Sequence, residues 1–470
     1  MKILNSLTTI RIRTLKVQWL CSFIAVFFFS IAFAQDNSLS FIFVGDVMQH
    51  DGQIEAAHNS TTGTYDYEDG FKFVKPILNQ YDIRVANLEV TLAGKPFKGY
   101  PQFSAPDDLA KTLVNTGFNL ILTANNHSCD RGSKGVIRTL DQLDALGVPH
   151  TGTFRSQEER DLTYPLIIEE NGLKIAMLNY TYGTNGLFVN APLIINYIDS
   201  AVIKKDVERA IELKADYIIC NMHWGSEYKF LPNKYQKRFE SYCYDLGVDM
   251  VIGGHPHVVQ PIVKKEIDEQ DKLTVWSLGN FVSNMRTQPT RGGVMVSAEI
   301  LERGNRIEIK NVKHHLVYTL KKNEGEVTQY YILPDFDYNL YRPGFLNAED
   351  QKRYKLFFDD SRKLYAEHNQ NVENSEISAE SSIGQLYQKY LTEYFSVQID
   401  NADFDLLRHK DLGSYLHMTV DPEGNRHLLS GVCETVSQAS GIMRFIEDCG
   451  IGESIHIVKV TPKGVEKVVE

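Results

Sequence analysis

The sequence predicts an α/β protein with a largely parallel sheet, followed by a small α+β domain. Short runs rich in Val, Ile and Leu have the length and composition of buried parallel strands, and helical patterns alternate with them from residue 39 to about residue 320. A polar, acidic segment then separates this region from a second series of strand and helix patterns. This order of elements indicates a two-sided α/β layer and a separate C-terminal unit.

Residues 1–34 are predicted to be a secretory signal peptide. Four basic residues precede an apolar run from Val17 to Phe33, which closes with the A-x-A cleavage pattern Ala32-Phe-Ala34. A transmembrane anchor is the alternative, but the run is short for a bilayer span and polar residues follow it at once. We therefore expect an exported protein of the periplasm or cell envelope that begins near Gln35.

The main domain is predicted to span residues 35–320. Its helices are predicted at 106–116, 132–146, 204–214 and 234–246. Strand patterns then follow at short intervals, at 273–278, 293–300, 307–312 and 316–321. Because they leave little room for helices, these patterns predict an antiparallel edge or a second sheet.

Three segments follow the main domain. Residues 321–368 are expected to be a connector packed on it, with a helical pattern from 347 to 366. Residues 369–386 are predicted to be a flexible linker because they are polar, acidic and nearly devoid of bulky apolar side chains. Residues 387–470 are long enough for a small α+β domain. Its strands are predicted near 395–399, 415–420 and 454–460, and its helix at 436–448.

The net charge of the chain is −11, which argues against a nucleic-acid partner. An anionic substrate is compatible with this charge, because bound cations reverse the field of a cleft. Five cysteines follow the predicted signal peptide without C-x-x-C spacing. Cys220 and Cys243 lie in apolar stretches and are expected to be buried, whereas Cys433 and Cys449 could form a disulfide in an oxidising compartment.

Residues of types that commonly bind metals follow the apolar runs at several points along the chain. They are Asp46, Glu89, Asn126, His223, His255 and His257. The carboxyl ends of parallel strands meet at one edge of a sheet, so we expect these groups to converge. Carboxylate, amide and imidazole ligands suit one or two divalent ions such as manganese, zinc or iron. Taken alone, each of these residues could instead have a purely structural role, as a helix cap, a turn residue or a core histidine.

The segment Gly253-Gly-His-Pro-His257 is the most specific part of this set. A strand runs into two glycines and then presents imidazoles at positions i and i+2, with a proline that stiffens the loop between them. A structural loop could have this composition. Paired imidazoles in a short rigid turn nevertheless favour metal binding.

Three residues are candidates for proton transfer. His127 could protonate a leaving group with Asp130 orienting it, or it could pack or bind a metal instead. Glu227 could act as a general base or bind a substrate amine. Near it, Trp224 and Tyr228 could form a wall of the pocket, although aromatic core is an equal interpretation. The sequence contains no G-x-S-x-G elbow, no P-loop and no H-E-x-x-H helix.

Several motifs together resemble the CapA-type poly-γ-glutamate capsule biosynthesis proteins. They are Gly45-Asp-Val-Met48, Asn87-Leu-Glu89, Ala124-Asn-Asn-His-Ser-Cys-Asp130, His223-Trp-Gly-Ser-Glu-Tyr228, Gly254-His-Pro-His-Val258 and Ser277-Leu-Gly-Asn-Phe281. The resemblance covers roughly Leu39 to Gly293. It implies the fold of the calcineurin-like metallophosphatases, a layered α/β sandwich with a two-metal centre.

The resemblance also implies roles for individual residues. Asp46 and His257 would bind the first metal, Glu89 would bridge, and the second metal would take Asn126, His223 and His255. His127 would match the phosphatase acid, and Asn87 and Asn280 would contact substrate. The phosphatase pattern has a histidine where this chain has Met48, whereas the CapA-type pattern has an apolar residue there. Occupancy of the first metal, and with it phosphatase activity, depends on this difference.

The C-terminal unit weakly resembles a peptidoglycan-binding SPOR domain through Phe395-Ser-Val-Gln-Ile399 and the stretch 431–458. An unrelated α+β module is the alternative. The leading hypothesis is an exported two-metal hydrolase or transferase that acts on an anionic polymer, either poly-γ-glutamate or a phosphoester. The rivals are a non-catalytic capsule or wall assembly factor and a wall-anchoring protein that binds peptidoglycan through its C-terminal domain.

Overall fold

The computed structural model describes residues 37–303, 306–324, 327–336, 345–375, 377, 381–384, 394–399, 416–420, 426–433, 436–448, 455–461 and 464–468. The predicted signal peptide and Cys449 lie outside these residues. Among the described helices, none combines the length and apolarity that crossing a bilayer requires.

The strands and helices are named here in chain order. The strands are β1 (Ser38–Val47), β2 (Ile83–Leu88), β3 (Leu120–Leu122), β4 (His150–Thr151), β5 (Thr153–Phe154), β6 (Leu166–Glu170), β7 (Leu173–Thr181), β8 (Ile194–Ile195), β9 (Tyr217–His223), β10 (Met250–Gly254), β11 (Ile262–Ile267), β12 (Gln270–Val275), β13 (Asn280–Val282), β14 (Gly292–Arg303), β15 (Arg306–Glu324), β16 (Val327–Pro334), β17 (Glu373–Asn374), β18 (Tyr394–Ile399), β19 (Leu416–Val420), β20 (Arg426–Cys433), β21 (Ile455–Thr461) and β22 (Gly464–Lys467). The helices are α1 (Asp51–Ala57), α2 (Glu68–Phe71), α3 (Lys75–Leu78), α4 (Asp107–Thr116), α5 (Gly132–Ala145), α6 (Gln157–Thr163), α7 (Ser200–Glu212), α8 (Lys234–Asp245), α9 (Ala348–His368) and α10 (Val436–Asp448).

Two large sheets form the main domain. The first has the order β16-β15-β14-β1-β2-β3-β4, with β13 beside β1 and β17 beside β15. The second has the order β11-β12-β10-β9-β7-β6. In the first sheet, β1 to β4 pair in parallel and β16 to β1 pair antiparallel. In the second sheet, the four central strands are parallel, and β11 and β6 pair antiparallel at the two edges. The predicted antiparallel edge is therefore present in the first sheet as β14 and β15. The pattern at 273–278 corresponds to β12, which lies in the second sheet and pairs in parallel with β10.

The two sheets share one apolar core, and helices cover their outer faces. Phe41 and Phe43 of β1 pack in the same buried cluster as Ile175 of β7 and Ile219 of β9. The alternate residues of β1 face a second cluster that contains Leu109 and Leu113 of α4, and α7 and α8 close the far side of the second sheet. This alternation follows from the period of two along a strand. The predicted layered α/β sandwich is confirmed.

The predicted helices agree with the structure to within a few residues at their ends, and α7 and α8 begin at side-chain caps. Asn233 accepts a hydrogen bond from the backbone N–H of Gln236 and forms a capping box at the start of α8. Asp199 accepts hydrogen bonds from two backbone N–H groups at the start of α7. These caps fix where the two helices begin.

One strand is longer than the sequence indicates. The patterns at 307–312 and 316–321 predict two strands, but the structure has the single strand β15. The ladder with β14 shifts register between Ser297 and Glu299, and Asn311 has a left-handed φ of 51°. A bulge of this kind lets a strand continue through a break in its alternation.

The predicted linker begins on the main domain. The N–H of Gln370 donates to the carbonyl of Ile262 (3.1 Å), and the N–H of Lys264 donates to the carbonyl of Gln370 (2.9 Å). The short strand β17 then pairs in parallel with β15. Residues 370–374 are thus part of the structure of the main domain.

The C-terminal unit has a five-stranded antiparallel sheet in the order β19-β20-β18-β21-β22. Helix α10 packs against β18, β20 and β21, and Ile446 of this helix is buried with Val397 and Ile399 of β18. The unit therefore has an apolar core of its own, as its composition predicts. Pairing of Cys433 with Cys449 stays a prediction.

Candidate metal centre

The candidate centre lies where the carboxyl ends of strands from both sheets meet. Asp46 is near the end of β1, Glu89 follows β2, and Asn126 follows β3 in the first sheet. His223 ends β9, and His255 and His257 follow β10 in the second. All six side chains are buried, with at most 3% of their surface exposed. The structure thus brings together every predicted ligand.

Close backbone contact holds β1 at this position. The N–H of Asp46 donates to the carbonyl of Gly279 (2.9 Å). A Cβ atom on Gly45 would lie 2.0 Å from that carbonyl oxygen, so only glycine fits there. This packing fixes the carboxylate of Asp46 at the edge of the sheet.

Asp46 is surrounded by hydrogen-bond donors. Its carboxylate accepts from Asn87 Nδ2 (2.8 Å) and from the backbone N–H of His255 (3.2 Å), and it lies 3.3 Å from His257 Nδ1. Burial alone would raise the pKa of this carboxyl, but the hydrogen bond from His257 and the nearby imidazoles outweigh burial and lower the pKa. Asp46 is therefore ionised.

Glu89 is the least satisfied group of the centre. Both of its carboxylate oxygens are buried and have no hydrogen-bond partner among the described residues. Glu89 Oε1 lies 3.5 Å from His223 Nε2 and 3.9 Å from His257 Nε2. Burial, followed by the charge of Asp46, raises the pKa of Glu89 well above its ordinary value. A buried carboxylate without partners is unfavourable unless a cation binds there.

His223 is oriented by amide side chains. Its Nε2 donates to Asn126 Oδ1 (2.7 Å), while Asn87 Nδ2 donates to its Nδ1 (3.3 Å). Burial lowers the pKa of His223 to about 3, despite the opposing charge of Asp46. The imidazole is therefore neutral, which is the form that binds metals.

The turn after β10 presents the other two imidazoles. His255 and His257 have left-handed φ values of 96° and 56°. His255 Nδ1 is buried without a hydrogen-bond partner, whereas His257 Nδ1 donates to Asn280 Oδ1 (3.0 Å) and leaves its Nε2 directed toward Glu89. Burial lowers the pKa of His255 well below its ordinary value. Such backbone strain persists only where the surroundings hold it, and it is common at functional sites.

The donor atoms form two overlapping groups. One consists of Asp46, Glu89 and His223, and the other of Glu89, His255 and His257; within each group the ligand atoms lie within 4.8 Å of one another. Glu89 belongs to both groups. This donor set and its unsatisfied oxygen and nitrogen atoms fit divalent metal ions.

His127 and Asp130 form a buried pair beside these groups. His127 Nδ1 donates to Asp130 Oδ2 (2.8 Å), which also accepts from the backbone N–H of Phe103 (2.7 Å). The ring of Phe103 packs edge-on against His127, with centroids 4.6 Å apart. The pair thus has the geometry in which a carboxylate orients an imidazole and leaves its Nε2 for a reacting group.

The remaining predicted residues differ in their positions. Trp224 is fully buried, stacks on Trp276 and donates to its carbonyl (3.1 Å), so it belongs to the core and does not line the site. Tyr228 is 48% exposed, and its ring lies 6.4 Å from that of His257. Glu227 is exposed beside it. Asn87 and Asn280, predicted to contact substrate, hydrogen-bond to the ligands Asp46 and His257.

Met48 supplies no ligand. Its side chain is 3% exposed and packs with Phe281 and Val282 in the apolar cluster on the outer face of the first sheet. Its backbone N–H donates to the carbonyl of Val282 (2.9 Å). Met48 therefore packs on the outer face of the first sheet, where it stabilises the end of β1 next to the site.

The sequence reasoning missed three residues near the ligands. Asn125 donates to Asn87 Oδ1 (3.2 Å), and the ring of Tyr182 packs 4.4 Å from that of His255. His50 packs against Phe103, with ring centroids 5.4 Å apart. Tyr182 directly follows β7, so the strand-end rule that found the ligands could have found it. His50 lies in the loop after β1, where no periodic pattern identifies it.

Comparisons with known proteins agree with this architecture. The family described as "Bacterial capsule synthesis protein PGA_cap" matches residues 40–285. The capsule biosynthesis protein CapA of Bacillus anthracis is 26% identical over 291 residues, and the PGA biosynthesis protein CapA of Bacillus subtilis is 28% identical over 292. These alignments cover 58% and 60% of this chain, and 66% and 73% of the two relatives.

Solved structures are more distant. The NAD nucleotidase NadN of Haemophilus influenzae has a TM-score of 0.39 and 13% identity, covering 76% of this chain and 60% of that one. A 5′-nucleotidase of Candida albicans has a TM-score of 0.35 and 11% identity, covering 69% and 58%. Likeness at this level says nothing about activity. The family match covers more than half of the sequence, and this chain therefore belongs to the bacterial capsule synthesis protein PGA_cap family.

Proposed function

We propose that this protein acts at the cell envelope in the synthesis or processing of a capsule polymer, as a divalent-metal hydrolase or transferase. The substrate would be an anionic polymer, either poly-γ-glutamate or a phosphoester. Family membership and similarity to the two Bacillus CapA proteins support the capsule role. The observation that carries the enzymatic part is Glu89, whose two unpartnered, buried oxygens are shared by both groups of candidate ligands.

The candidate ligands would hold the metal ions. Asp46, Glu89, His223, His255 and His257 would hold one or two ions of manganese, zinc or iron, with Asn126 as a neutral donor. When bound, such ions polarise a carbonyl or phosphoryl oxygen and supply hydroxide at neutral pH.

The proton-transfer roles belong to groups beside the ligands. His127, held by Asp130 at 2.8 Å, would deliver a proton to the leaving group. Glu227 and Tyr228, exposed near His257, would contact the polymer at the mouth of the site.

A turnover assay tests this proposal. The purified protein would be loaded with manganese, zinc or iron and given γ-linked glutamate oligomers and phosphoesters in separate reactions. We expect cleavage or transfer with one class of substrate, and loss of it in a His127→Ala variant that still holds metal. Absence of turnover with both classes while metal is bound would contradict the enzymatic proposal.

A second candidate is a non-catalytic assembly factor in which metal only stiffens the polymer-binding cleft. The observation in its favour is Met48, which leaves the first metal without the histidine of the phosphatase pattern. Binding of polymer without turnover would support this alternative.

The two ends of the chain would serve export and wall attachment. Residues 1–34 would direct secretion, and residues 387–470 would hold the protein to peptidoglycan in the manner of a SPOR domain. Sedimentation of the full chain with purified peptidoglycan tests the second point. We expect the protein in the pellet, whereas a protein that stays in the supernatant would contradict wall binding.

A further inference from the structure

Arg286 lies on the loop after β13 with part of its guanidinium unused. Its neighbour Met285 contacts Asn280, which is the hydrogen-bond partner of His257. Arg286 Nε and Nη2 donate to the carbonyls of Asn284 (3.2 Å) and Ser283 (2.9 Å). Its Nη1 is buried and has no hydrogen-bond partner among the described residues. The guanidinium packs over the ring of Tyr330, 5.7 Å from the centroid. The loop and the ring thus hold the group in place and leave one donor nitrogen free to bind a ligand.

No carboxylate is among the charged groups that act most strongly on Arg286. The charged groups that shift its pKa most are tyrosines and two further arginines, Arg291 and Arg353. Burial, with these cations, lowers the pKa of Arg286 to about 10, so it remains protonated at neutral pH. A mostly buried cation without an anionic partner is unfavourable. An anionic ligand would remove this penalty.

His50 connects Arg286 to the site. The backbone N–H of Asn284, whose carbonyl holds Arg286, donates to His50 Nδ1 (3.2 Å). The ring of His50 contacts Phe103, and Phe103 contacts His127. Burial lowers the pKa of His50 to about 4, so its imidazole is neutral at neutral pH. These contacts therefore connect Arg286, through Asn284, His50 and Phe103, to His127 beside the candidate ligands.

We propose that Arg286 and His50 form a subsite for an anionic group of the substrate next to the metal centre. This inference rests on the proposed function and deepens it. A γ-linked glutamate chain carries a carboxylate on every residue, and a phosphoester polymer carries a phosphate at each link, so both offer an anion near the reacting bond. Arginine suits either one, because its planar guanidinium binds carboxylate and phosphate through paired hydrogen bonds.

Calorimetric titration of the metal-loaded full chain tests the subsite. The probes are a γ-linked glutamate trimer and inorganic phosphate, in separate titrations. We expect the parent to bind one of them and Arg286→Gln to bind it about tenfold more weakly, as loss of a charge-assisted hydrogen bond predicts. Arg286→Lys should fall between the two. The matched control is Arg353→Gln, because Arg353 is a nearby cation already paired with Glu349 (2.7 Å); its affinity should stay within about twofold of the parent.

Three results would overturn the subsite. They are equal affinity of parent and Arg286→Gln, equal loss in the Arg353 control, and no binding of either probe to the parent. If Arg286→Gln does not fold, judged by its thermal melt, the Lys variant decides in its place. Metal content, measured on the same samples, separates this inference from the proposed function. A parent that holds no metal contradicts the proposed function, whereas the effect of Arg286 on probe binding still decides the subsite.

Discussion

Among the residues that the structure describes, two sets of buried histidines can be compared, and one of them lies in the candidate metal centre. His223 and His255 lie at the strand ends near Asp46 and Glu89, whereas His314 and His315 lie side by side in β15. Burial lowers the pKa in both sets, to about 3 for His223 and His315. The partners differ, since His315 Nε2 bonds to the hydroxyl of Tyr81 (3.2 Å) and the ring of His314 packs on Tyr365. Burial of imidazoles is therefore not enough to form a candidate metal site. Carboxylates from other strands must also lie beside them.

Removing the shared carboxylate should have the largest effect. We expect Glu89→Gln to weaken metal binding by about 100-fold or more, because it removes a charge common to both donor groups. The unfolding free energy of the metal-free protein should change by less than about 1 kcal/mol, since burial already favours the protonated carboxyl that glutamine resembles. Metal titration and urea unfolding measure the two effects.

The matched control for Glu89→Gln is His315→Gln in the other set. It should leave metal affinity unchanged and lower the unfolding free energy by about 1–2 kcal/mol through loss of the bond to Tyr81. Equal metal affinity in the parent and Glu89→Gln would break the distinction between the two sets.

The pH dependence of metal affinity is a further test of Glu89 as a metal ligand. Because the pKa of Glu89 is raised, this carboxyl holds a proton in the metal-free protein, and metal must displace it. Affinity should therefore rise with pH, by up to about tenfold per pH unit below the raised pKa. Calorimetry in buffers of different ionisation enthalpy would detect the released proton. Affinity that falls as pH rises would be the opposite of this expectation.

The orientation of His127 makes a smaller, purely catalytic difference. Asp130→Asn should keep the metal and lower turnover by about tenfold or more, because the amide no longer fixes the imidazole in the required tautomer. Metal content and kcat on the same sample separate the two effects. Unchanged kcat would mean that the pair is structural, as it is for His315 and Tyr81.

Acid stability should not distinguish the two sets. Unfolded histidines bind a proton below about pH 6.5, whereas His223 and His315 in the folded protein bind one only near pH 3. The unfolded state thus binds more protons between these values, so stability falls as pH falls through this window, by about 1 kcal/mol per pH unit for each histidine. Urea unfolding of the metal-free protein at pH 6.5 and pH 5 tests this. His223→Gln and His315→Gln should reduce the slope equally.

The sequence was sufficient to predict that the candidate ligands lie together, because their positions follow largely from strand geometry. Parallel strands end at one edge of their sheet, so Asp46 had to lie near Glu89 in the first sheet, and His223 near His255 in the second. The packing of the two sheets then brings the two pairs together. The sequence was not sufficient to predict the position of the Trp224 side chain. Trp224 lies just beyond the end of β9, where the direction of a side chain depends on the turn that follows, and here that turn contains Gly225 with a φ of 98°.

Contacts between distant segments also escaped prediction. His50 and Arg286 are brought together by Asn284, which is 234 residues from His50 in the chain. The docking of residues 370–374 on β11 and β15 depends on backbone hydrogen bonds, which any polar sequence can make. Neither feature leaves a periodic signal in the sequence.

The central claim is that carboxylates and imidazoles from the two sheets form a metal centre. The most direct test is the metal content of the purified protein by mass spectrometry, compared with the His255→Ala, His257→Ala double variant and with a His314→Gln, His315→Gln control. We predict about two equivalents of divalent metal in the parent and in the control, and loss of this metal in the first variant. The same metal content in all three proteins would contradict the claim.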